Sequence, residues 1–374
     1  MRFRVHHSMV ARNRGRRVKT SALGVIHGLV AAGAILLTSA ACAAPVAYFT
    51  DTGNGTVHIV DVATQTEIGT VPLDEEPEAV AVDSSGERVY VTGSDKVFVF
   101  STATNSIAST VPVGSVPDGA VVTPDSKFVY VANADSASIS VISADSLSVV
   151  ATIPVNSSPF GVACSPDGSR VYVAHLTTGT VTVIATSTNT VVGSITLGGA
   201  PIGVVVSPDG AHVYAANLTL QNVSVISTAT QDVVATISTG NAAWGIAVTP
   251  DGEKLYVAGA DGSVSIISAT TNSMIATIPI KGRPEGVDIT PDGKQVYVTG
   301  AELGVAVISV ASDTLEGFIG VAASSFGKFI SSGVQEPPPP PPNITPAPIV
   351  QGWGLLLLVV CLMLLARAEM KKRR

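Results

Sequence analysis

Apolar residues from Val46 to Ile330 come in short runs with a period of two, broken by clusters of serine, threonine, asparagine, proline and glycine. Such alternation places successive side chains on opposite faces of a β-strand. One stretch shows the grammar. Phe160-Gly161-Val162-Ala163 predicts a short apolar strand, and Ser165-Pro166-Asp167-Gly168 the turn that ends it. Proline presets φ at the first corner, aspartate bonds backbone two residues on, and glycine accepts positive φ. Val171-Tyr172-Val173 predicts the return strand and Val181-Thr182-Val183-Ile184 a third. Thr186–Asn189 then turns into Val191–Ile195, the outermost strand.

This unit recurs. The aromatic of the return strand falls at Tyr48, Tyr90, Tyr130, Tyr172, Tyr214, Tyr256 and Tyr297, at intervals of 40 to 42 residues. The next strand starts at Val57, Val97, Ile139, Val181, Val223, Val264 and Val305. Four short strands repeated at a period just above forty residues predict propeller blades. The expected fold is all-β, a seven-bladed β-propeller of four-stranded antiparallel blades. The chain enters on a second strand, Val46–Phe49, and leaves on an inner strand, Phe326–Ile330. Pairing these two would close the ring and remove exposed edges. The Pro-Asp-Gly turn recurs at Pro208, Pro250 and Pro291 and decays to Pro124-Asp125-Ser126 and Ser84-Ser85-Gly86; its aspartates are expected to cap turns.

The repeat resembles the YVTN β-propeller family of bacterial and archaeal surface and secreted proteins. Val129-Tyr130-Val131-Ala132-Asn133, Ser140-Val141-Ile142, Thr152-Ile153-Pro154-Val155 and Gly161-Val162-Ala163 follow one another in that family's order. The resemblance spans Val46 to Ser332 and implies an exported propeller.

Charge narrows the partners. The chain carries a net charge of −7 and aromatics are 5% of it. Basic residues crowd the two ends, which leaves the repeat array acidic. Nucleic acid rewards basic patches and stacking platforms, so it is not an expected partner.

The ends carry address information. Arg2–Lys19 is basic, Thr20–Ala41 is uncharged with an apolar run over Gly28–Leu37, and Ala41-Cys42-Ala43 offers small residues to a signal peptidase. Residues 1–43 are therefore expected to be a secretory signal peptide. Ser39-Ala40-Ala41-Cys42 also resembles a lipoprotein box, though an aliphatic residue would stand at Ser39. Arg16-Arg17 resembles a twin-arginine signal that Lys19-Thr20 interrupts. The propeller is expected over 44–335 and a stiff proline spacer over 336–346. Residues 347–366 are almost wholly apolar, long enough as a helix to span a membrane, and 367–374 form a basic tail expected to stay cytoplasmic. Ala347-Pro348-Ile349-Val350-Gln351-Gly352-Trp353-Gly354 with the helix and tail resembles IPTL-type sorting signals of Gram-negative bacteria. That resemblance implies an exosortase-like processing enzyme, and a plain single-span anchor is the alternative.

Cys42 lies in the signal and Cys361 in the apolar helix, leaving Cys164 alone in the mature domain. No disulfide framework, haem-attachment motif or zinc spacing is present, and no metal or cofactor is expected.

Propellers bind ligands at the mouth of the central channel. The residue before each inner-strand glycine or its equivalent differs from blade to blade: Glu78, Asp118, Phe160, Ile202, Trp244, Glu285 and Phe326. Three carboxylates fall on one arc, close in sequence to Asp74-Glu75-Glu76, with Phe160, Ile202 and Trp244 opposite. A neighbouring loop position holds Asp51, Asn133, His175 and Asn217. A mouth acidic on one side and apolar on the other is one reading; drift at exposed loop starts is the other. Two functions follow. One is a non-catalytic platform, membrane-tethered or surface-sorted, for a protein or glycan of the cell envelope. The other is a lactonase-like hydrolase, which seven-bladed lactonases with similar repeats suggest and for which Arg283 and His175 are the candidate polar groups.

Overall fold

The computed structural model describes residues 45–302, 304–323 and 326–328. All regular elements among them are β-strands, β1 to β28 in chain order. They form the seven blades of a β-propeller. The fourth blade is representative. Its strands β12 (Pro159–Cys164), β13 (Arg170–His175), β14 (Thr180–Ala185) and β15 (Thr190–Thr196) pair antiparallel in chain order. β-Branched residues fill the central pair because they pack well on a pleated, buried surface. The other inner strands are β4 (Ala79–Val82), β8 (Pro117–Val122), β16 (Pro201–Val206), β20 (Ala243–Val248) and β24 (Val287–Ile289).

Every blade carries a register shift between its third and outermost strands, as at Val183/Ile184 and Ile266/Ile267. A bulge there sharpens the twist and keeps the exposed edge from offering a flat template to another chain. The turn aspartates do cap turns. Asp209 Oδ1 accepts the Ser207 hydroxyl at 2.5 Å and the Ala211 amide at 2.9 Å. Asp251 accepts the Thr249 hydroxyl at 2.5 Å and the Glu253 amide at 2.9 Å. These hydrogen bonds hold both carboxyls below the usual range.

The core lies between blades. Tyr172 and Val181 of the fourth blade pack with Val213 and Ala215 of the fifth. Tyr297, Val305 and Ile319 of the seventh share one cluster with Tyr48 and Phe49 of the first and with Val80 and Phe98 of the second. Side-chain packing therefore closes the ring.

The expected pairing of Phe326–Ile330 with Val46–Phe49 does not occur. β28 (Phe326–Lys328) instead runs parallel to β4, with Phe326 opposite Ala79 and Lys328 opposite Ala81. β1 (Val46–Asp51) pairs with β2 (Thr56–Asp61), and β3 (Thr66–Pro72) completes a three-stranded first blade. The reason lies in the flanks. β5 (Arg88–Thr92) occupies one flank of β4, leaving the other for β28. The first strand meanwhile grips the second blade through side chains: Thr50 Oγ1 donates to the Glu78 carbonyl and Thr52 Oγ1 to the Pro77 carbonyl, both at 2.8 Å.

The expected signal peptide, proline spacer, apolar helix and basic tail lie outside the described residues. Among the described residues no helix is long and apolar enough to cross a membrane.

Candidate functional site at the channel mouth

The inner strands stand side by side around the channel and approach so closely that only glycine fits. A Cβ built on Gly119 or Gly161 would lie 2.0 or 2.1 Å from the carbonyl oxygen of Phe160 or Ile202 in the next blade. On Gly203 or Gly245 it would lie 2.3 Å from that of Trp244 or Glu285. The Gly245 amide donates to the Glu285 carbonyl at 2.9 Å. Phe160, Ile202, Trp244 and Glu285 thus have a backbone fixed by the preceding blade and side chains that the backbone leaves free to vary.

The three carboxylates do come together. Glu78 is exposed, while Asp118 and Glu285 are half-buried. Although Glu78 is exposed as a residue, neighbouring groups partly desolvate its carboxyl and raise it, and the charges of Glu285 and Glu76 add to the rise. Burial, then the charges of Glu78 and Asp135, pushes Asp118 up to about 7. Burial raises Glu285 as well, against the opposing pull of Arg283. Desolvation raises all three carboxyls and like charge adds to it at Glu78 and Asp118, so this arc holds protons above the ordinary carboxylate range. Asp74 and Glu75 are engaged locally, both within ion-pair distance of Lys96 at 3.4 and 3.2 Å.

Beside Glu285, the Arg283 guanidinium sits 4.6 Å from the Trp244 ring centroid, and its Nε lies 3.8 Å from Glu285 Oε1. Arg283 bridges the aromatic and acidic sides of the mouth through a cation–π contact and a loose ion pair. Trp244 Nε1 is buried without a hydrogen-bond partner. Phe160 is half-buried. Ile202 is 2% exposed and contributes packing rather than surface. Phe326 opens β28, in register with Ala79.

His175 is not on the mouth surface. It is fully buried, its Nε2 within 2.8 Å of the Thr182 hydroxyl and its Nδ1 3.3 Å from the Ser157 carbonyl. Burial lowers its pKa, which favours the neutral ring. Its equivalents are loop locks too. Asn133 Nδ2 donates to the Ser138 and Ser140 hydroxyls at 3.1 and 3.0 Å, and Asn217 Oδ1 accepts the Ala200 and Leu220 amides at 3.1 Å. A histidine, two asparagines and, at Asp51, an aspartate share this position because each offers short polar atoms to the same corner. Burial pushes the Cys164 thiol up to about 12. Among the described residues no group of three or more histidine, cysteine or acidic side chains is arranged to hold a metal ion.

A family model described as a YNCE-like beta-propeller matches residues 60–211, from the end of β2 to the edge of β17 (His212–Asn217). The chain is a β-propeller repeat protein. The propeller has no match among curated proteins. Among solved structures it is similar to a chain of Kuenenia stuttgartiensis hydrazine synthase. The two are 26% identical with a TM-score of 0.60, over 64% of this chain and 78% of that one. It also resembles a functionally unknown protein from Desulfotomaculum acetoxidans. That protein is 16% identical with a TM-score of 0.69, over 76% of this chain and 98% of that one. This second likeness shows the fold.

Two features of the propeller mouth escaped sequence reasoning. Asp135 joins the acidic arc from a turn beyond the second strand, and Arg283 stacks on Trp244 from the preceding blade-to-blade loop. Nothing in the linear order of the residues announces either contact.

Proposed function

We propose that this protein is an exported, non-catalytic recognition platform of the YVTN type. It would be tethered at the cell envelope or sorted to the surface by its C-terminal segment, with the channel mouth as its contact surface. One observation carries the reading: glycine-mediated packing holds the mouth backbone constant while the side chains on it vary around the ring. An invariant scaffold with variable, partly exposed aromatic and acidic groups is how binding surfaces are built. The basic leader, the apolar stretch over 347–366 and the basic tail of the sequence support export and attachment. The partner is a protein or glycan of the envelope. Probing peptide and glycan arrays with the full chain tests this. Binding should be lost in the Glu78→Gln/Asp118→Asn/Trp244→Ala variant; hits that survive those changes would sink the mouth as the contact surface.

A lactonase-like hydrolase is the second reading, favoured by Asp118. A carboxyl held near 7 is matched to general-base work at neutral pH, and Arg283, beside Glu285 elsewhere on the mouth, is a candidate to polarise a carbonyl. The likeness to a chain of an enzyme, hydrazine synthase, keeps a catalytic role in view. Turnover of a lactone panel that disappears in Asp118→Asn would establish it.

A further inference from the structure

Between the fourth and fifth blades lies a cleft of about 460 Å³. It sits beside the Pro-Asp-Gly turns, at the other end of the inner strands from the mouth residues. Its lining is polar: Asp167, Arg170 and Tyr172 from the fourth blade, and Asp209, Thr228 and Gln231 from the fifth. A space of this size is within the range of small-molecule sites.

The gap between the sixth and seventh blades shows what this position can hold. There Lys254 Nζ donates to both carboxylate oxygens of Asp313, at 2.9 and 2.8 Å, and the Tyr256 hydroxyl donates to Oδ1 at 2.6 Å. A carboxylate is thus clamped between a cation and a tyrosine hydroxyl. Arg170 and Tyr172 stand in the fourth blade where Lys254 and Tyr256 stand in the sixth. Gln231 stands where Asp313 does, its amide likewise donating to the carbonyl four residues back and its φ 60° against 54°.

Among the described residues, no carboxylate enters this second clamp. Gln231 is neutral and one methylene longer than Asp313, and its amide oxygen lies over Gly193 of β15. Arg170 turns back on its own strand, where Nη1 donates to the Ser169 carbonyl at 3.1 Å. A guanidinium has five donors, so most of its capacity is left for another acceptor. Tyr172 is 3% exposed, yet its hydroxyl makes no hydrogen bond with another described residue and lines the cleft. A buried hydroxyl left without a partner is costly, and a ligand that accepts from it removes that cost. Tyr214 in the next gap has no hydrogen-bond partner among the described residues either, but its companion is His212, not a permanent cation.

The wall also sets the rest of the ligand. Hydrogen bonds from Ser165 and Ser169 to Asp167, and from Ser207 and Ala211 to Asp209, favour the ionised form of both turn carboxyls. A bare anion would meet these two negative charges beside Arg170, whereas a ligand that also carries an ammonium offsets them.

We propose that this cleft binds a free polar amino acid, its carboxylate on Arg170 and Tyr172 in the place Asp313 takes two blades on, and its ammonium facing Asp167 and Asp209. The site is separate from the mouth and independent of the platform reading.

Ligand-observed NMR titration of the full chain with L-serine, L-serinamide and glycerate tests the assignment. L-Serine should bind saturably. It should bind roughly tenfold more tightly than serinamide, which lacks the carboxylate, or glycerate, which lacks the ammonium. Arg170→Gln, which copies Gln295 of the seventh blade, and Tyr172→Phe should each weaken L-serine by about tenfold. Gln231→Asp should rebuild the Asp313 arrangement, fill the clamp with the chain's own carboxylate and abolish binding. Serine binding that survives Gln231→Asp and Arg170→Gln, or no saturable serine binding, would overturn the site; either variant decides if the other does not fold. Serinamide bound as tightly as serine would overturn the carboxylate clamp, and glycerate bound as tightly would overturn the amino-acid class.

Discussion

The hydroxyl of Tyr297 in the seventh blade donates to the carbonyl oxygen of Val62 in the first at 3.3 Å, across 235 positions of sequence. The same ring stacks on Phe49 with centroids 6.3 Å apart. Tyr297 is thus the clasp of the closed ring. Equivalent tyrosines link neighbours elsewhere: Tyr130 donates to Asn189 Oδ1 and Tyr256 to Asp313 Oδ1, both at 2.6 Å. Each acceptor stands in the hairpin turn before the next blade's outermost strand, at a left-handed φ of 53° or 54°. Tyr297→Phe keeps the stack and removes the hydrogen bond, and should cost about 1 kcal/mol in chemical denaturation. Tyr297→Ala also removes the packing and should cost about 3–5 kcal/mol.

At Tyr90 this link is missing. The buried Tyr90 hydroxyl forms no well-shaped hydrogen bond, although the Arg88 guanidinium lies beside it. The turn residue that would accept from it is Leu147, which has no acceptor and is held at a φ of 48°. Leu147→Asn supplies both a side-chain oxygen and a residue that tolerates this conformation. It should stabilise the propeller by about 1 kcal/mol, read as a higher denaturation midpoint. The gain should vanish in a Tyr90→Phe background.

The inner ring should be far less tolerant than the rim. Gly161→Ala drives a Cβ to 2.1 Å from the Ile202 carbonyl oxygen, a backbone atom that cannot swing aside. A loss of about 2–4 kcal/mol is expected. Gly317→Ala, in the outermost strand β27 (Thr314–Ile319), meets nothing within 4 Å and should be nearly neutral. Comparable losses at the two sites, measured by urea titration, would contradict the close-packed ring.

Asp118 makes stability pH-dependent. Its carboxyl is raised to about 7 in the folded protein, so between its unfolded value near 4 and that pH the native state binds the extra proton. Stability contributed by this group therefore falls as pH rises through that window, and the full penalty stands above pH 7. Asp118→Asn should stabilise the propeller at pH 8 by roughly 2 kcal/mol, less than full burial would give because water reaches the group. The difference should shrink toward zero by about pH 4. A constant difference across that range would mean that burial and the charges of Glu78 and Asp135 do not act on it as described.

Sequence alone determined the blades, because strand pairing within a blade is local. The alternation at Val181–Ile184, the turn at Pro166-Asp167-Gly168 and the tyrosine every 40 to 42 residues each report on contacts a few residues away. The acidic arc was legible for a related reason: once blade order is known, Glu78 and Asp118 must fall on adjacent sectors, with Glu285 one blade beyond the first. What only the tertiary structure decided lies between blades or depends on depth. His175 looked like a mouth residue, yet its ring is sealed inside a blade corner, whereas Trp244 stays at the mouth with Arg283 stacked on it. The strand at Phe326–Lys328 chose the open flank of β4 over β1. A short strand carries no sequence record of its partner, and the choice fell to whichever edge the finished ring left uncovered.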